Sequence, residues 1–168
     1  MLDVNWLRPL LGGVCVIGAL MSASVVGARQ EAKAPFGLFA GDWDGKGEIV
    51  AADGSHEQIR CRASYPESEG SAAVGQSIVC ANPRYHVDIE SNIEAAGQNA
   101  TDSWREDTRH VSAELTGTIE PGRFEGAVTG PGLTASVSLR SNGRRQSARI
   151  TPTGADVADV SIELVRKR

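Results

Sequence analysis

The feature that most constrains this chain is an alternation of apolar and polar residues with a period of two, repeated from residue 41 almost to the end. Ile59, Cys61, Ala63 and Tyr65 alternate with Gln58, Arg60, Arg62 and Ser64. Tyr85, Val87 and Ile89 alternate with His86, Asp88 and Glu90, and Leu133, Ala135, Val137 and Leu139 with Thr134, Ser136, Ser138 and Arg140. Val160, Ile162 and Leu164 repeat the pattern near the carboxyl end. Such alternation gives strands with one dry face and one wet face. Turn signals divide the runs at short intervals: Asp53-Gly54, Asn82-Pro83, Ala96-Gly97, Pro121-Gly122, Pro131-Gly132, Asn142-Gly143 and Thr153-Gly154. One short helical piece is expected near Ile93 to Gly97.

Short connections make successive strands neighbours, and a long meander must hide its two edges. The expected fold is therefore all-β: a single up-and-down antiparallel β-barrel of eight to ten strands. Asn142-Gly143 read as a two-residue turn sets Val137 opposite Ala148 and Ala135 opposite Ile150. Pairing Cys61 with Cys80 sets Ala63 opposite Ile78 and Tyr65 opposite Gln76. Carried back through Asp53-Gly54, the same face sets Trp43, Gly45, Gly47 and Ile49 against Tyr65, Ala63, Cys61 and Ile59. The buried faces agree across these strands, and a slip of one residue would destroy the agreement.

The amino terminus carries an address rather than a strand. Arg8 closes a short leading region, an apolar run spans Leu10 to Leu20, and small residues end at Ala28. That layout predicts a secretory signal peptide over 1–28, with a retained membrane anchor as the rival reading. Residues 29–40 read as a tether, and 41–168 as the β-barrel domain. Cys15 leaves with the signal, so Cys61 and Cys80 remain as a pair. Without a C-x-x-C spacing, an exported pair reads as a structural disulfide. The expected localisation is periplasmic or secreted, with membrane contact only through an uncleaved signal.

Gly41-Asp42-Trp43 at the start of the first strand resembles the G-x-W opening of lipocalin-like (calycin) barrels. That resemblance implies a tryptophan at the closed end and a basic residue of the last strand packed over it, for which Arg166 is the match. The runs GDWDGKGEI, EQIRCRASY, QSIVCA, SWREDTR and RRQSARI resemble a family of exported bacterial proteins of uncharacterised activity. The chain departs from that pattern near Asn82-Pro83-Arg84 and Asn99 to Asp102. The resemblance implies export and a barrel, and implies nothing catalytic.

Composition narrows the function classes. A net charge of −4 lacks the basic footprint of a nucleic-acid binder. Three separated histidines offer no metal or catalytic cluster, and no serine sits in a G-x-S-x-G elbow. Asp42, Asp44 and Glu48 read as a solvated face, without the oxygen-dense loop a calcium ion needs. No cofactor and no enzymatic activity are expected. Small inward residues, among them Gly45, Gly47, Ala63, Gly117, Gly126, Ala135 and Ala148, either leave a cavity or let the sheet coil tightly. The leading expectation is a non-catalytic periplasmic barrel, a carrier or sensor holding a small, mostly apolar ligand. Trp43, Tyr65, Tyr85, Trp104 and Glu106 are its expected lining. Glu106 reads either as a cavity carboxylate beside Trp104 or as a group at the barrel mouth or paired with an arginine. The alternative is an envelope protein that binds a partner, for example an enzyme inhibitor acting through the Pro66–Val74 loop. Arg140, Arg144, Arg145 and Arg149 make a basic hairpin, read either as a dock for an anionic partner or as guards against edge pairing.

Overall fold

The computed structural model describes residues 35–66, 72–108 and 110–168. The expected signal peptide and much of the tether lie outside the described residues, as does the centre of the Pro66–Val74 loop. Ten strands follow one another among the described residues: β1 (Gly41–Ala51), β2 (His56–Tyr65), β3 (Ala73–Ala81), β4 (His86–Ala96), β5 (Asn99–Glu106), β6 (Val111–Glu120), β7 (Arg123–Gly130), β8 (Leu133–Ser141), β9 (Arg145–Pro152) and β10 (Val157–Arg166). Each pairs antiparallel with the next, and β1 closes on β10. The result is the expected up-and-down barrel, and closure leaves no strand edge unpaired.

The inner face follows the period-two pattern: Ile59, Cys61, Ala63 and Tyr65 are buried on β2, and Ile162 and Leu164 on β10. Cys61 stands opposite Cys80, Ala63 opposite Ile78, and the two sulfurs form a disulfide. A disulfide agrees with an exported protein.

Two registers differ from expectation, each by two residues, so the buried face survives. Trp43 pairs with Ala63 and Gly47 with Ile59, because the β1–β2 turn centres on Asp53 rather than Gly54. Ala51 N–H donates to the Ser55 carbonyl, Gly54 takes a φ of +81°, and the Asp53 carboxylate accepts the Ser55 N–H. Similarly, Val137 pairs with Ile150 and Leu139 with Ala148. Here the turn centres on Gly143-Arg144, since the Asn142 side-chain oxygen accepts the backbone N–H groups of Arg144 and Arg145 and holds Asn142 at the turn's first position.

Two further expectations are corrected. The helical piece near Ile93 is strand: alternation carries β4 through Ala96, and Gly97, at φ +66°, makes the tight turn into β5. The carboxyl end of the tether does not run free. Phe39 N–H and Ala40 N–H both donate to the Phe36 carbonyl, forming a single turn that sinks Phe36 and Phe39 into the barrel. The Ser141 hydroxyl fastens this turn to β8 by donating to the Leu38 carbonyl.

Candidate functional site

The barrel interior has two unlike halves. At the end where β1 begins, Phe36, Phe39, Trp43, Tyr65 and Phe124 pack against Val74, Ile93, Ile119 and Leu139. The cavity left among them holds about 10 Å³, no more than one water, and its walls are almost wholly apolar. Trp43 is 0% exposed, and its indole N–H donates to the Phe39 carbonyl at 2.8 Å. The Tyr65 hydroxyl accepts the Gln146 side-chain amide at 2.8 Å, and its ring lies 6.4 Å from that of Phe39. Burial pushes the Tyr65 phenol up to about 12. This end is a plug, and it takes all three phenylalanines of the chain.

Toward the opposite end the same inner face is thinly filled. Ile49, Ile59 and Val128 are buried there. Ile78, Val87, Ile89, Trp104, Val137 and Val160 have inward parity too, yet they stay half-buried. An inward residue of a closed barrel meets solvent only through an open end. This half is accordingly a cup, with Trp104 on its wall.

The small residues now divide into two roles. At Gly45 and Gly47 an added Cβ would fall 2.0 Å and 2.5 Å from β10 backbone oxygens, and Gly117 and Gly126 face each other under the Phe124 ring. These glycines serve close strand approach. Ala63, Ala113, Ala135 and Ala148 carry short side chains where the wall needs no such approach, and they leave the interior thin.

The five expected lining residues do not converge. Trp43 and Tyr65 belong to the plug, and packing consumes the surface they would offer a ligand. Tyr85 lies at the rim of the cup, half-buried, where its N–H donates to the Asn82 side chain. Trp104 lies across from Ala113 on the wall. Glu106 is 3% exposed, and one carboxylate oxygen accepts the N–H groups of Asp88 and Thr108.

The structure adds a polar strip that the sequence reading missed. Gln76 stands opposite Ser91 across β3–β4, and Asp102 lies next along the inner wall on β5. Asp102 is buried; one carboxylate oxygen accepts the Asn92 N–H at 2.8 Å, and the other has no hydrogen bond. The Gln76 side-chain oxygen is likewise buried without a partner, and the Ser91 hydroxyl lies beside the Asp102 carboxyl. Burial raises the Asp102 carboxyl above its ordinary value, opposed by the Asn92 N–H and, more weakly, by the Ser91 hydroxyl and the Ser103 N–H. Asp102 shares the parity of Ala100, Trp104 and Glu106, and that parity was the available signal. Phe36 and Phe39, just ahead of the first strand, carried no such signal for the plug. Among the described residues no group of His, Cys, Asp or Glu is arranged to hold a metal ion.

Fold and interior together define a closed ten-strand antiparallel barrel, plugged at one end. The crystal structure of Rv2717c from M. tuberculosis is similar to this chain, with a TM-score of 0.65. The match covers 82% of this chain and 98% of that one at 11% sequence identity, so the likeness is one of fold. No family model and no curated protein matches the chain. The family resemblance and the calycin reading of Gly41-Asp42-Trp43 gain no support from those comparisons.

Proposed function

We propose that this protein is an exported, non-catalytic carrier or sensor that holds a small, mostly apolar molecule in the open half of its barrel, in the manner of a lipocalin. One observation carries the reading. Apolar side chains with inward parity remain half-buried around Trp104, while the opposite end is packed to a cavity of about 10 Å³. Aliphatic and indole surface left half-buried on the inner wall of a barrel is the kind of lining that small-molecule sites use. The lining moves from the five residues expected to Trp104, Tyr85 and their aliphatic neighbours, leaving Trp43 and Tyr65 as scaffold.

Native mass spectrometry of the protein taken from the envelope of its own cells tests this reading. The expected result is a discrete added mass that departs on denaturation, on a chain cut after Ala28 and lighter by two hydrogens for the disulfide. A bare, oxidised chain that also fails to take up an environment-sensitive apolar dye would sink the carrier reading and favour a protein partner.

A further inference from the structure

We propose that the plugged end of the barrel is a docking face for an anionic phospholipid surface. Segments far apart in sequence bring their cations together there. The β8–β9 hairpin presents Arg144 and Arg145, both exposed, and β10 ends in Arg166, Lys167 and Arg168. The Arg166 N–H donates to the Arg144 carbonyl at 3.1 Å, which sets the two segments side by side. Arg123 and Arg140 face each other on β7 and β8 beside them. A surface groove of about 280 Å³ is bordered by Arg123, Arg140 and Arg145, with Glu163 as the acid on its border.

Part of this charge is already matched. Arg123 and Arg140 share the Glu125 carboxylate at 3.3 and 3.4 Å, and Lys167 meets Asp44 at 3.1 Å. Arg144, Arg145 and Arg168 have no acidic partner among the described residues, so a positive face stands on a chain whose net charge is −4. Guarding a strand edge does not account for it, because the closed barrel has no edge at β9 or β10.

The shape of the patch favours a bilayer among anionic partners. Val165, 57% exposed, is the one exposed large apolar side chain among the described residues, and it pairs with Arg145 across β9–β10. Its neighbour on the other side, across β1–β10, is Asp44, whose charge Arg62 and Lys167 already match, so an apolar projection beside arginines meets a layer of phosphates with hydrocarbon beneath it. Docking by this end directs the cup away from the surface. The inference stands independently of any ligand in the cup.

Sedimentation of the purified protein with vesicles is the test. Vesicles of phosphatidylcholine alone are compared with vesicles one-third phosphatidylglycerol, at roughly 0.02 M and 0.5 M salt, where screening lengths differ severalfold. Each basic residue near an anionic bilayer strengthens binding roughly fivefold. Binding is expected to require phosphatidylglycerol, to collapse at high salt, and to fall by more than about 20-fold in the R144E/R145E protein. That protein is expected to melt with the parent, because both side chains are exposed and the turn is held by Asn142 and backbone N–H groups. Val165→Ser is expected to weaken binding by a smaller factor. Equal sedimentation with both vesicle types, or a charge-reversed protein that binds like the parent, overturns the proposal. Retention on a sulfated polysaccharide column without vesicle binding overturns it too, and assigns the face to an anionic macromolecule.

Discussion

At the plugged end Trp43, Tyr65 and Phe124 are at most 2% exposed and touch one another's neighbours on all sides, whereas Trp104 and Val137, on the same inner face of the same barrel, remain half-buried. The strand count does not change between these ends, so the difference lies in side-chain volume and in the turn at Phe36–Ala40 that caps one opening. A ten-strand barrel encloses more space than one of eight, whose interior side chains can fill unaided. This chain has few aromatic residues and puts five of them at one end. Stability is thereby concentrated at the plug, and the other half is left free to accept something else.

The largest test of that contrast is a pair of truncations. Phe124→Ala removes a ring that is 2% exposed and lies over the Gly117–Gly126 pair, and is expected to cost about 3–5 kcal/mol. Trp104→Ala, on the half-buried wall, is expected to cost less than half as much while abolishing uptake of an apolar dye. Urea unfolding with unchanged m-values would measure both. Equal losses would mean that the two halves are one continuous core.

Next in size is the bridge between β2 and β3, which spans the wall between the halves. Cys61 and Cys80 are 19 residues apart, and opening a loop of that size removes roughly 3 kcal/mol. The Cys61→Ser/Cys80→Ser protein should unfold at correspondingly lower urea, as should the parent in reductant. An identical midpoint for oxidised and reduced protein would show that the ladder alone sets the β2–β3 register.

The plug itself offers a smaller effect. Gly117→Ala sets a Cβ 2.4 Å from the Glu125 carbonyl and 2.9 Å from the Phe124 ring. Overpacking of this kind costs about 1–3 kcal/mol. A melting temperature unchanged from the parent would mean that the sheet has room to relax at β6–β7, contrary to a tightly coiled plugged end.

Much of this contrast was legible and much was not, for physical reasons that differ by residue. Parity on β2, β8 and β10 follows from alternation alone, because the side-chain period of a strand is fixed by its geometry. Register depends on turn length, and turn length depended on single side chains. Asn142 recruits two backbone N–H groups and moves the β8–β9 turn by one residue, and Asp53 holds a three-residue loop closed. Phe36 and Phe39 sit in a stretch with no periodicity, so nothing local said that they turn inward; only the barrel's open end gives them a place to go. Asp102 lies where a carboxylate is least expected, and the strand's own alternation, Ala100-x-Asp102-x-Trp104-x-Glu106, was outweighed by its charge. The joining of Arg144 to Arg166 required the β9–β10 ladder, which no local pattern displays.

The smallest effect expected concerns Asp102, beside the boundary between plug and cup. Its folded-state carboxyl is raised above the ordinary value, chiefly by burial. A group that binds its proton more tightly when folded opposes folding at neutral pH, where it must be buried charged. The penalty is fully present above the raised folded-state value and disappears as pH falls below the ordinary carboxylate value. Asp102→Asn keeps an oxygen for the Asn92 N–H and removes the charge. The variant is therefore expected to be more stable than the parent at neutral pH, with the gap narrowing on acidification. Paired urea titrations at several pH values isolate this difference, since every other carboxylate is common to both proteins. A variant less stable at all pH values would mean that the Asp102 carboxylate is held by more than the Asn92 N–H, with the Ser91 hydroxyl as the donor at hand, and that the strip is a closed network whose hydrogen bonds outweigh the cost of the buried charge.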